Sequence, residues 1–206
     1  MRKFVSIAIT ALVLSTIGAA AQSISAAEIA KMVDKRMNDL NPYQALLNDR
    51  DPARAQAAMQ IMLESGDADL TRMALEYGLL SPNPTVKRLA LESWLSTGPI
   101  LSIRFDGTKV QAKNFASRVK NFWNGNVSDG IGYWRIGVGK YLPDLKCFSN
   151  TYKTDRCFIT VNGDGVFLTP EALNGRAVIT DTGQLEGAGA LNGIEEPVPF
   201  SIRLLD

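Results

Sequence analysis

At Gly98-Pro99 the chain stops being one kind of sequence and becomes another. Over residues 26–97 it is rich in Ala, Leu, Met, Glu and Arg, with apolar residues recurring at helical spacing. From Pro99 onward it turns to Gly, Asn, Thr, Val, Ile and aromatics. Gly permits the left-handed exit that ends a helix, and Pro cannot continue one. The break therefore predicts an α+β protein: helical hairpins over residues 22–98, then a mainly antiparallel β-domain over 99–206, built as a sandwich or a small barrel.

The helical half repeats its punctuation. Asp51-Pro52 opens a helix with Ala55, Ala58, Met59 and Met62 on one face, and Ser65-Gly66 closes it. The same signals recur at Asn83-Pro84, with Val86, Leu89, Ala90 and Trp94 on the face and Thr97-Gly98 at the end. Asp or Asn accepts from the free amides of the first turn, and Pro fits the first helical position because its missing N–H would have been unpaired there. A further helix is expected over residues 68–79, an amphipathic one over 27–40 using Ile29, Val33, Met37 and Leu40, and a short separate one after Asn41-Pro42. On these Asp/Asn-Pro starts and small shared apolar positions the segment resembles about two units of a HEAT or armadillo repeat. That resemblance implies a scaffold or interaction surface rather than an activity.

In the second half, Leu101, Ile103 and Phe105 alternate with polar neighbours and meet Asp106-Gly107, which predicts a type I′ hairpin. Further strands are expected at 131–138, 157–161, 165–168, 176–180, 184–190 and 198–204. Phe115, Val119 and Phe122 predict a helix within 111–123, and Thr169-Pro170-Glu171 before Asn174-Gly175 predicts a compact one. Alternation places Tyr133 and Arg135 on one face of their strand and Trp134 and Ile136 on the other, which makes Trp134 core.

Residues 1–21 have the pattern of a cleavable secretory signal: Arg2-Lys3, an apolar run that is short for a membrane span, then Ala19-Ala20-Ala21. The expected mature protein is periplasmic or secreted, without stable membrane insertion. In that compartment Cys147 and Cys157, the only cysteines, are expected to form a disulfide. Loss of Arg2 and Lys3 moves the formal charge from +1 to −1, a balance that gives no reason to expect nucleic acid as a partner.

There is no histidine in the chain. That closes Ser-His-Asp and Cys-His relays, His-bearing zinc sites and His general bases. Carboxylate pairs suffice for glycoside hydrolysis, yet Asp129, Asp164, Glu171, Asp181, Glu186 and Glu195-Glu196 stand in no recognisable signature. The reading is of a non-catalytic interaction or assembly protein that binds another envelope or extracellular protein. The alternative is a glycan-directed protein, a lectin-like binder or a His-free carboxylate hydrolase. Its expected contacts are Trp123, Asn124, Tyr133, Arg135 and Tyr141, with Trp123 exposed beside a Gly-rich turn. No cofactor is expected beyond a weak calcium ion on Asp164 and Glu171, because Thr160, Asn162, Asp164, Gly165 and Glu171 follow the calcium-loop spacing with Thr in the place of the first Asp.

Overall fold

The structure is a computed structural model that describes residues 24–205. The signal-peptide expectation, on residues 1–21, lies outside the described residues. The chain divides into two compact units, Met1–Asp39 and Leu40–Asp206.

Helix α1 (Ala26–Leu47), whose residues up to Asp39 belong to the first unit and whose last turns from Leu40 belong to the second, begins with a capping box. Ser25 Oγ accepts from the Glu28 amide at 3.2 Å while the Glu28 carboxylate accepts from the Ser25 amide at 2.9 Å and from its hydroxyl at 2.8 Å. These bonds hold the Glu28 carboxyl below its ordinary range. Ile29, Met32, Val33 and Met37 of this helix are exposed. The expected break at Asn41-Pro42 does not occur, and α1 runs through Pro42 to Leu47. Pro42 removes the donor for the carbonyl one turn earlier, but that turn is exposed and water can take the free acceptor.

The second unit contains helices α2 (Pro52–Glu64), α3 (Ala68–Leu79) and α4 (Pro84–Ser96), with the expected starts and ends. Asp51 accepts from the Ala53 amide, Asp67 from Asp69 and Leu70, and Asn83 from Thr85. Gly66 and Gly98 exit with φ of 75° and 70°. Close approach of α3 and α4 depends on Gly78, where a Cβ would collide with the Ala90 Cβ.

Nine strands follow among the described residues: β1 (Ile100–Asp106), β2 (Asn126–Ser128), β3 (Ile131–Leu142), β4 (Cys147–Asn150), β5 (Ile159–Asn162), β6 (Gly165–Leu168), β7 (Leu173–Ile179), β8 (Gln184–Leu191) and β9 (Val198–Arg203). Eight of them close into an antiparallel barrel in the order β1-β9-β8-β7-β6-β5-β4-β3, with β3 pairing back onto β1. The sheet is thus a barrel and not a sandwich, and β2 is a short ribbon on the first residues of β3. Asp106-Gly107 makes no hairpin. The Asp106 carboxylate instead accepts from the Thr108 amide and hydroxyl, turning the chain into α5 (Ala112–Ser117) and a π-helical turn, Arg118–Phe122. The type I′ geometry falls at Asp129-Gly130, both with positive φ, between β2 and β3. No helix follows Thr169-Pro170, where the chain turns through Ala172 at φ 73° directly into β7.

An eight-stranded barrel is just wide enough for side chains to fill, and here they do. Leu101, Ile103, Phe105, Trp134, Phe158 and Phe200 are buried in a hydrophobic cluster that also takes in Leu63, Leu79 and Leu91 of the helices. Helix α4 packs on β3 and β5, and Lys87 reaches the β7–β8 turn, donating to Asp181 at 2.9 Å. The α5 segment covers the other barrel end, where β1 finishes and β3 begins, with Phe115 against Gly107 and Gly132.

Candidate functional site

Two concave surfaces stand out in the second unit. The first is on the helices. Ala57, Ala58 and Ser65 give α2 a shallow trough, and Tyr43 and Leu46 from the last turns of α1, Ile61 from α2 and Leu70 from α3 stand around it. The groove is about 310 Å³ and apolar. Arg54 is its only charged lining residue among those described, and its guanidinium is held at 3.0 Å by Asp49. Ile61 is 69 % exposed although its neighbour Met62 is buried. Burial of such a side chain is worth about 1.5–3 kcal/mol, so leaving one in water beside a trough of small residues forgoes a substantial term.

The second surface is a cleft of about 300 Å³ at the barrel end where β4 and β6 finish and β7 begins. Its floor follows from an aromatic stack. Trp123 lies between Phe105, at a centroid distance of 5.1 Å, and Trp134, at 4.8 Å and nearly parallel. Phe158 meets Trp134 edge-on at 6.1 Å. The Trp123 indole N–H donates to the Glu171 carbonyl at 3.1 Å. Trp123 is only 7 % exposed, which corrects the expectation of an exposed contact. Both ring faces are covered, so a sugar has no Trp123 face to stack on.

Above that floor, Asn150 is 6 % exposed and lines the cleft. Its Oδ1 accepts from the amides of Tyr152 at 2.9 Å and Lys153 at 2.7 Å. Two backbone donors on the oxygen fix the orientation of the amide, and its NH2 is left without a protein acceptor among the described residues. At the rim, Lys153 and Arg156 share one Glu171 oxygen, each at 3.5 Å.

The residues expected at a glycan site are dispersed. Asn124 lines the cleft with Trp123, and its φ of 53° bends the chain beside the stack. Tyr133 and Arg135 are exposed on the outer face of β3, opposite the inward Trp134 and Ile136, as alternation predicts. Tyr141 is half-exposed, edge-on to Phe148 at 5.1 Å. Asp164 occupies the β5–β6 turn, where its carbonyl takes the Arg176 guanidinium, whereas Glu171 lies beyond the opposite end of β6. That strand keeps the two carboxylates from sharing a calcium ion. No group of three or more His, Cys, Asp or Glu side chains able to hold a metal is present among the described residues.

Cys147 and Cys157 form a disulfide with Cα atoms 5.5 Å apart. It closes the segment that carries Asn150, Tyr152, Lys153 and Arg156, four residues of the cleft and its rim. Sequence reasoning singled out the cysteines but missed Asn150 and Lys153. The available signal was Asn150 two and three residues before the amides it caps, the spacing of an Asx turn. It also missed the helical groove, because Tyr43 and Leu46 were assigned to a separate short helix.

No family model, curated protein or solved structure matches the chain. Its function is therefore read from its own surfaces. Among the described residues no helix is long and apolar enough to cross a membrane.

Proposed function

We infer that this is a non-catalytic interaction protein whose helical half docks an amphipathic helix of another envelope or extracellular protein. The exposed Ile61 beside the Ala57–Ala58 trough carries the reading. Small residues along one helix, bounded by larger ones on its neighbours, offer the groove into which the side-chain ridge of a second helix fits. The lack of free charge in the lining selects an apolar ridge. The arrangement of α2, α3 and α4 is read as helix hairpins of the HEAT or armadillo kind, a scaffold whose use is presenting such a surface. A periplasmic or secreted location, reached by the signal on residues 1–21, is part of the proposal and is supported by the disulfide, which persists in oxidising compartments.

Catalysis by a carboxylate pair has no support in the cleft, where Glu171 is the one carboxylate in the lining and is engaged by two cations. The test is capture of partners from the native envelope by the full chain, by Ile61→Glu and by Tyr133→Ala. Loss of a specific partner with Ile61→Glu at unchanged melting temperature, and retention with Tyr133→Ala, is the expected outcome. Equal capture by Ile61→Glu and the parent chain would refute the docking site.

A further inference from the structure

We propose that the cleft at the β4–β6 end of the barrel binds a small free carboxylic acid with an apolar body, its carboxylate on the Asn150 amide NH2 and the Lys153 ammonium. The site is independent of the helical groove. Trp123, Trp134 and Ile136, all buried, supply an apolar floor, and the exposed Phe122 and Tyr152 supply walls. Such a floor with a few convergent polar groups is the usual makeup of a small-molecule site, and about 300 Å³ is at the small end of the range for these sites.

The polar groups select the ligand's other end. Asn150 is nine-tenths buried, and its oxygen is consumed by the Tyr152 and Lys153 amides, so only donors remain to face the cleft. A donor held in place by two backbone bonds needs no reorganisation to meet an acceptor. Beside it Lys153 is bound to Glu171 only loosely, at 3.5 Å, and Arg156 already contacts the same oxygen. Arg156 also pairs with Asp155 at 3.7 Å and can keep Glu171 paired, so the loosely held Lys153 ammonium, which lines the cleft, is the cation free to turn to an incoming anion. A neutral acceptor would satisfy Asn150 but would give the Lys153 ammonium no charge-assisted partner.

The stacked indoles report directly on occupancy, because the third tryptophan, Trp94, is in α4 and does not line the cleft. The full chain with its disulfide intact is titrated with 3-phenylpropionate and with its neutral counterpart 3-phenylpropanol, following tryptophan fluorescence and the Asn150 side-chain amide resonances. Saturable binding of the acid is expected, at least about tenfold tighter than the alcohol, a factor worth about 1.4 kcal/mol. Asn150→Asp keeps the oxygen that caps the loop and replaces the donor by an acceptor, so it should weaken the acid at least about tenfold. Lys153→Gln, at an exposed side chain, should do the same without disturbing the fold and decides the matter if Asn150→Asp does not fold. No saturable change up to about 10 mM acid would overturn the proposal, as would equal affinity for acid and alcohol or unaltered affinity in Lys153→Gln. Tighter binding of N-acetylphenylalanine than of 3-phenylpropionate would overturn the free-acid assignment in favour of a peptide terminus.

Discussion

Trp123 shows how far a single residue can be read without its neighbours. A nearby Gly-rich turn suggests an exposed ring, whereas the positive φ of Asn124 folds the chain back and leaves the indole between Phe105 and Trp134. Trp134 was legible because strand alternation fixes its side, and nothing of that kind operates on a loop residue. Trp123→Ala should therefore cost about 3–5 kcal/mol in a denaturant titration, the range for emptying a buried aromatic site. A change below about 1 kcal/mol, as surface substitutions give, would contradict the burial. A second residue-scale expectation concerns Lys87, nearly buried, and its exposed partner Asp181. The hydrogen bond from Lys87 and the charge of its ammonium hold the Asp181 carboxyl below its ordinary range. Its folded pKa lies below the unfolded one, so the contribution is complete above the ordinary aspartate value and is lost as pH falls through the lowered value. Thermal melts of Asp181→Asn should accordingly show less stability than the parent at neutral pH, with the difference shrinking as pH falls below about 4 and closing beneath the lowered Asp181 value.

Among elements, those with chemical punctuation were legible and those defined by partners were not. Asp51-Pro52, Asp67 and Asn83-Pro84 satisfy their own first-turn amides, so α2, α3 and α4 begin where a local reading puts them. Pro42 and Thr169-Pro170 carry similar local signals and were overruled by context, one absorbed into α1 and the other left as a turn before β7. Strand β4 gave no periodic signal because all four of its residues are buried on both sides, and β2 is too short to give one. The disulfide was legible from cysteine count, and its place in the fold defines its effect. Replacing Cys147 and Cys157 together by Ser should cost about 2.5–3 kcal/mol in the chain-entropy treatment of a loop this size. Amide exchange should rise most at Tyr152 and Lys153, whose amides Asn150 holds. Exchange that rises evenly over the barrel would show that the bond does not organise this loop.

At the scale of the molecule, the strands of the described residues all follow Gly98-Pro99 while α1 to α4 precede it and only the short α5 and its π-helical turn fall among the strands, so α+β is legible from the change of composition. Closure of the sheet was not legible, because whether β1 meets β3 and β9 depends on register and twist summed over eight strands rather than on any residue. The groove was hidden for a related reason: Tyr43, Leu46, Ile61 and Leu70 come from three helices and become one surface only after packing. The central claim is that this surface holds a helix of another protein. Site-specific incorporation of a photoreactive phenylalanine analogue at position 61, with one at the similarly apolar and also exposed Leu145 as control, tests it in the native envelope. Illumination should give an adduct at position 61 and none at 145, with the attached peptide coming from an amphipathic helix of a different protein. Equal labelling at the two positions, no adduct at 61, or a peptide from the chain's own sequence would contradict the account.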